Sequence, residues 1–588
     1  MKINRLTVII LLVTGFSLPF FAQNTVTGIP SHRSAKDEET DKRIALQTRV
    51  AEQLLYDLEK LPPDENRAFV LAKAGQYLCQ TDKMRAEKIF ERAVKELLIA
   101  QNKAKKPVGD ENGELYYGHA PRLTMIGSIS QCDAELGYAY LQKTRPRSMS
   151  DLIEAFYKGR VSFEERSRET GHLRSELVQE NLLKVTVSKK NPARAAEFIR
   201  QDLKNHINFW TIDLLVELYK TDPALANQLT EEAIGKLLQL DFFDPQNKKP
   251  IEAELGYKYD VASLFLSPWN KPYKDYPMQV SRESLINLAD KLSRDMLDNG
   301  VYSLGGFGLE TIEKFFPDRV KQIRQLATEQ RKNSEGEKLI NFLKKSPSLE
   351  KVLDRAEDFS PWYQKRLFNH TACLMVYDGN FTDARNLITK KWENKKLADH
   401  ELDKIFYSAA WSFAGENFDF AIEIVDQISS SDLRTEARAL LAGGLFEQNP
   451  QANRQKALAI LTETRKKLDS DPEIENRLAG MDNILSVYRF IDEEAAFRMF
   501  DLLIDQTNEI EGKVEAIDAY STGRSSARLG FRKTVSALKK RDFSRTLDII
   551  NKLHRNGAKI NTKLALLEER AFYEYEHIFS SFPQPCSV

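Results

Sequence analysis

The groups in this chain that could do chemistry are eight histidines, four cysteines and 86 aspartates and glutamates. Each kind of catalysis needs them at its own spacing. His400-Glu401 begins like the HExxH helix of a zinc hydrolase, where two imidazoles one turn apart hold the metal and the glutamate moves a proton, but Lys404 stands where the second histidine is needed. His32, His119, His172, His206, His370, His554 and His577 occur singly, with no second histidine one helical turn away. They read as packed or surface residues rather than ligands. Carboxylate pairs such as Glu164-Glu165 and Glu568-Glu569 abound, but amphipathic helices carry such pairs as solvated faces, and none stands out as an acid of raised pKa beside its partner base. The chain has no GxxxxGK[ST] phosphate cradle and no GxSxG elbow. Gly305-Gly306-Phe307-Gly308 lacks the preceding strand that a dinucleotide site requires and reads as a turn. The expectation is a protein with no catalytic residue, no metal ligand set and no cofactor.

Charge gives no field for steering a polyanion. Lys plus Arg and Asp plus Glu are equal at 86 each, and they alternate finely along the chain, so neither nucleic acid nor an anionic lipid surface is an expected partner. With 42% hydrophobic residues the chain can bury enough apolar area to offset its entropy, and a folded protein follows.

The N-terminus reads as an export signal. Lys2 and Arg5 precede an apolar stretch from Leu6 to Ala22, interrupted by Gly15 and Pro19; cleavage is expected after Ala22 or Gln23. About 17 residues with a Gly and a Pro are short for crossing hydrocarbon, and no second apolar stretch of spanning length follows. A periplasmic or secreted protein with no stable membrane insertion after cleavage is expected. In an oxidising compartment Cys79, Cys132, Cys373 and Cys586 could pair in three ways or stay separate thiols. Cys79 with Cys132 is the favoured pair, closing a loop of about 54 residues worth roughly 4 kcal/mol.

The elements that carry these residues are helices. Leu46, Val50, Leu54, Leu58 and Leu61 share one helical face, with Arg49, Glu52, Asp57 and Lys60 opposite. Pro62 and Pro63 stop that helix, and Asp64 stands where the next needs an N-cap. No alternating run of β-branched residues bounded by Asn-Gly or Asp-Gly turns appears, so an all-α chain is expected. Its hairpins recur. Phe381 to Phe418 and Ala384 to Ala421 are both 37 residues, Ala421 to Ala457 is 36, and Ala457 to Ala496 is 39. At each turn a polar Gly or Asn reverses the chain, an aromatic packs across, and a small Ala lets two helices approach. One hairpin alone leaves an apolar face open, so neighbours must stack.

These residues resemble the tetratricopeptide repeat, in which the first helix carries a small residue and an aromatic and the second carries Ala, a large apolar residue and Ala. Ala74, Tyr77, Ala86, Phe90 and Ala93 stand at that spacing within one hairpin, and Ala372, Phe381 and Ala384, then Ala409, Phe418 and Ala421, repeat part of it. The closing proline is missing and the period is longer than the family's, so a wider class of mixed hairpins, the α-solenoid, is expected. The resemblance covers about a third of the chain and implies a right-handed superhelix of stacked antiparallel hairpins. By analogy it places Tyr77 and Phe406 toward a concave face that holds a protein or peptide partner.

Along the chain the reading is a signal peptide at 1–22, a disordered linker at 23–40, a helical array at 41–240, a connecting segment rich in proline and aromatics at 241–280, a second array at 281–580, and a flexible tail at 581–588. An exposed loop is expected from Gln101 to about Pro121. In the connecting segment Trp269, Tyr273 and Tyr276 lie among prolines and are the candidate partner contacts, because rigid rings give large contact area at low entropy cost. The expected function is an exported scaffold that binds a protein or peptide. The alternative is a cell-envelope polysaccharide enzyme of lytic transglycosylase or glycosidase type on a helical superhelix.

Overall fold

The computed structural model describes residues 35–61, 63–104, 119–161, 168–246, 248–253, 256–266, 279–301, 308–345, 347–392, 394–472, 474–509, 531–554 and 556–567. The chain divides after Ala45, and of the first unit only residues 35–45 are described. The protein is all-α. The exceptions among the described residues are a two-residue antiparallel pairing of Glu252–Ala253 with Gly256–Tyr257 and an isolated antiparallel bridge of Phe243 with Pro250.

A local rule starts most of the second helices. Asp82, Asp133, Asp222, Asn417, Asp492 and Asp542 each accept a hydrogen bond from the backbone N–H three residues on, satisfying a donor that a helix start leaves open. One residue further stands a small one: Ala86, Gly137, Ala226, Ala421, Ala496 and Thr546, all buried. That position faces the preceding helix. At Gly137 an added Cβ would lie 2.7 Å from the Ser130 Cβ and 2.9 Å from its Cα, a backbone approach that only glycine allows. Ala384 stands in the same register after Asn380. Ala457 does not: it lies two turns beyond its cap Asn449, because the helix Pro450–Asp469 begins a turn earlier. Counted from cap to cap, Asn417 to Asn449 is 32 residues and Asn449 to Asp492 is 43, so the more even 36 and 39 of the alanines hide hairpins of unequal length.

From Pro361 to Asn551 the helices pair in series. Pro361–Tyr377 packs on Phe381–Lys391, Lys395–Phe413 on Phe418–Asp426, Ser431–Gln448 on Pro450–Asp469, Ile474–Ile491 on Glu493–Glu509, and Arg532–Leu538 on Phe543–Asn551. The first helix of each pair also packs on the first helix of the next. The pair Glu65–Leu78 and Lys83–Ala104 is tight: an added Cβ on Gly75 would lie 2.6 Å from the Phe90 ring. The Cys79 and Cys132 sulfurs are bonded and staple the end of the first of these helices to the end of His119–Cys132.

Several boundaries differ from those read in the sequence. The helix that runs to Leu58 begins at Ala35, inside the stretch read as linker. Lys83–Ala104 and His119–Cys132 extend into both ends of the expected loop at 101–121. The segment 241–280 is not where the core parts. Phe242, Phe243, Tyr259, Val261 and Phe265 fill one apolar cluster together with Leu214 and Leu237 before them and Leu288 and Ile312 after them. Prolines break the helix there without stopping its rings from packing. Burial lapses further on: between Ile323 and Leu339 no described residue is buried, because the run from Arg324 to Lys338 is almost wholly polar. Gly308, with φ +84°, precedes the helix Leu309–Phe315, and the Ser263 carbonyl would meet its Cβ at 3.1 Å. The signal peptide and the tail at 581–588 lie outside the described residues.

Candidate functional site

Trp269, Tyr273 and Tyr276 lie outside the described residues. The repeat-signature residues Ala74, Tyr77, Ala86, Phe90, Ala93, Ala384 and Ala421 are buried, while Phe381 and Phe418 open their helices half-buried. Phe381 lies edge-on to Phe406 and stacks near Phe420, each with centroids 6.0 Å away. Tyr77 and Phe406, which the resemblance turns toward a partner, are core residues instead, and the Tyr77 hydroxyl donates to the Leu567 carbonyl. Helix-on-helix packing takes these rings because each hairpin must cover its neighbour's apolar face.

The charged constellation that the fold assembles is elsewhere, on the helix Arg168–Lys190. Glu176, Glu180 and Lys184 recur there one turn apart. In sequence they look like a solvated face. In the fold this face meets the start of His119–Cys132, the turn at Thr144-Arg145, and the helices Pro192–Asn205 and Trp210–Tyr219. Arg122 and Glu176 are both fully buried and bind as a two-pronged pair at 2.6 and 3.1 Å. Two further Arg122 donors go to Thr144 Oγ1 at 2.9 Å and the Leu141 carbonyl at 2.7 Å. Arg145 bridges Glu176 at 2.8 Å and Glu180 at 2.5 Å. Glu180 lies 3.6 Å from Lys184, whose ammonium donates to Asp202 at 3.1 Å. Thr211 donates to Asp202 at 3.2 Å, and the Asn208 side-chain oxygen accepts from the Trp210 and Thr211 amides at 2.9 and 3.1 Å. Tyr138 packs against both large apolar clusters beside this chain of charges.

The protonation of each group follows from how many opposite charges it faces. Burial pushes the Glu176 carboxyl up, but Arg122 and Arg145 together outweigh it and hold it below the ordinary carboxylate range. Burial pulls Arg145 and Lys184 down, and each is nonetheless raised because two carboxylates face it, Glu180 and Glu176 for the first, Asp202 and Glu180 for the second. Asp202 faces one ammonium, so burial wins and its carboxyl is raised. His206, stacked on Tyr157 with centroids 3.6 Å apart, is lowered to about 3 by burial and by Lys184; it is neutral at physiological pH. Every charge in the set is engaged by a neighbour, so the arrangement positions helices rather than presenting a reactive group.

Among the described residues no group of three His, Cys, Asp or Glu side chains is placed to hold a metal ion. No helix there is long and apolar enough to cross a membrane. No protein-family model matches the chain, and no curated protein matches it.

Proposed function

We propose that this chain is an exported α-solenoid, a right-handed superhelix of tetratricopeptide-like hairpins, that holds a protein or peptide partner and does no catalysis. The observation that carries the reading is the serial pairing from Pro361 to Asn551, in which first helix stacks on first helix and three of the five second helices, those opening at Phe418, Glu493 and Phe543, start by the same cap-and-small-residue rule. Serial arrays of this kind present long surfaces made of many similar helices, the geometry that suits an extended partner. The Cys79–Cys132 bond supports a compartment outside the reducing cytosol. The contact residues on this reading are Trp269, Tyr273 and Tyr276, joined by Trp362, which is 57% exposed at the start of its helix with Arg366 over its ring at 4.8 Å.

The test is chemical crosslinking in envelope extract followed by capture of the chain. A partner recovered by the intact protein and lost with Trp269→Ala/Tyr273→Ala/Tyr276→Ala supports the reading. Absence of any crosslinked partner, together with sugars released from peptidoglycan or polysaccharide by the purified chain, overturns it in favour of an envelope hydrolase.

A further inference from the structure

A stack of hairpins has two ends, each offering an apolar face that a capping element must cover. Here the last described helix, Asn556–Leu567, is buried along nearly its whole length, from Gly557 to Leu567 with Lys559 alone half-exposed. A helix buried all round has neighbours on every side. On one side it packs on Arg532–Leu538 and Phe543–Asn551, and Lys539 donates to the carbonyls of Ala565 at 3.2 Å and Leu566 at 3.1 Å. On the other side it meets the beginning of the fold. Lys563 Nζ donates to Asp57 Oδ2 at 2.8 Å, with side chains only 3% and 7% exposed. The Leu567 carbonyl accepts from Tyr77, and Leu564 and Leu567 belong to the same apolar cluster as Val50, Leu54 and Leu58.

We infer that the two ends of the helical stack cap one another, with the helix Asn556–Leu567 acting as a clasp whose seating on the first hairpins is keyed by the Asp57–Lys563 pair and whose release is a separate opening step. The two sides of the clasp are built differently. Toward Arg532–Leu538 and Phe543–Asn551 the backbones lie close and Lys539 ties the helix end; toward residues 50–78 the contact is made through side chains and one buried ion pair. Lys563 is faced by Asp57 as its single carboxylate, with Lys60 and Lys559 also near. The Asn561 Oδ1 of this helix is buried with no hydrogen-bond partner among the described residues, so the clasp helix carries an uncompensated polar group. When the clasp opens, the helix stays with the C-terminal hairpins and parts from the first ones, breaking its contacts with Asp57 and Tyr77.

Hydrogen exchange of the full chain, followed by mass spectrometry in rising denaturant below the global transition, tests this without any variant. The clasp predicts that amides of 46–58 and 65–78 open at lower denaturant than those of 431–509. Lys563→Glu should raise exchange in 46–58 and 65–78 by about tenfold or more while 431–509 stays unchanged, and Asp57→Asn/Lys563→Met should return it to within about threefold of the parent, because a glutamate facing Asp57 buries two like charges and the double replacement removes both. Uniform opening of all helices in the parent chain, or a Lys563→Glu rise in exchange that spreads equally to 431–509, would overturn the proposal.

Discussion

Of the places where the described residues bury charge, the helix Arg168–Lys190 and the contact of Lys563 with Asp57 solve the problem in opposite ways. Around the helix Arg168–Lys190, Glu176 faces two guanidinium groups and Lys184 faces two carboxylates, and both are held in their charged forms although burial opposes it. At the end-to-end contact Lys563 faces the single carboxylate of Asp57, burial outweighs that attraction, and its ammonium falls below the ordinary lysine value. Inside the network Asp202, with one cation, behaves like Lys563 rather than like its neighbours. A buried charge is secure when it is shared between two opposite charges and marginal when it has one, since the desolvation cost of an ion is of the same order as one good pair interaction.

The hardest blow to that comparison comes from Glu176→Ala. It strands Arg122 and half of Arg145 in the interior and should cost about 3–5 kcal/mol in urea unfolding; a loss under about 1 kcal/mol would mean that the shared network is not what holds these helices. Next is reduction of Cys79–Cys132, which staples the helix carrying Tyr77 to His119–Cys132. It should lower stability by about 2–4 kcal/mol, and exchange should rise first in 65–78, beside the clasp. Asp57→Asn/Lys563→Met removes both partners of the Asp57–Lys563 pair, leaves the half-exposed Lys60 that also reaches Asp57 to water, and should change stability by no more than about 1 kcal/mol in either direction, since a buried pair roughly breaks even against an apolar replacement. A loss of several kcal/mol would show the pair to be as secure as the network.

The smallest effect is in pH, and its sign separates the two regions. Because Lys563 is depressed in the fold, the unfolded chain binds more protons between its folded value and its ordinary 10.5, so its contribution to closure improves as pH rises through that window. Because Glu176 is depressed by its arginines, its contribution is full above its ordinary 4.5 and disappears as pH falls through its folded value. Exchange measured across pH should therefore show 46–58 gaining protection toward alkali and the segment 168–190 losing it toward acid; the reverse trend at either place would break the partner-counting rule.

The helices themselves were legible residue by residue. Asp64, Asn417 and Ser430 are caps by composition and by hydrogen bond, and the alanines at 384, 421, 457 and 496 that mark the period are all fully buried. The small residue after a capping Asp or Asn was open to reading at Ala86, Gly137, Ala226 and Thr546 as well, but unequal hairpin lengths hide a pattern sought as a fixed period. The charged seam was not legible. Glu176, Glu180 and Lys184 have the types and spacing of a solvent face, and one turn of helix says nothing about what packs against it. Phe242, Phe243 and Phe265 misled in the other direction: prolines nearby signal a break in the helix, while the core runs on through the rings.

Helix type, turn position and the faces that must be apolar follow from side-chain spacing, caps and breakers, because those forces act within one or two turns, and for them this chain needed nothing beyond its own order of residues. Which charges leave water, and that Lys563 meets Asp57 some five hundred residues away, depend on how the hairpins add up, since desolvation and ion pairing are set by neighbours distant in sequence. Those contacts exist only once the tertiary structure has brought the ends together.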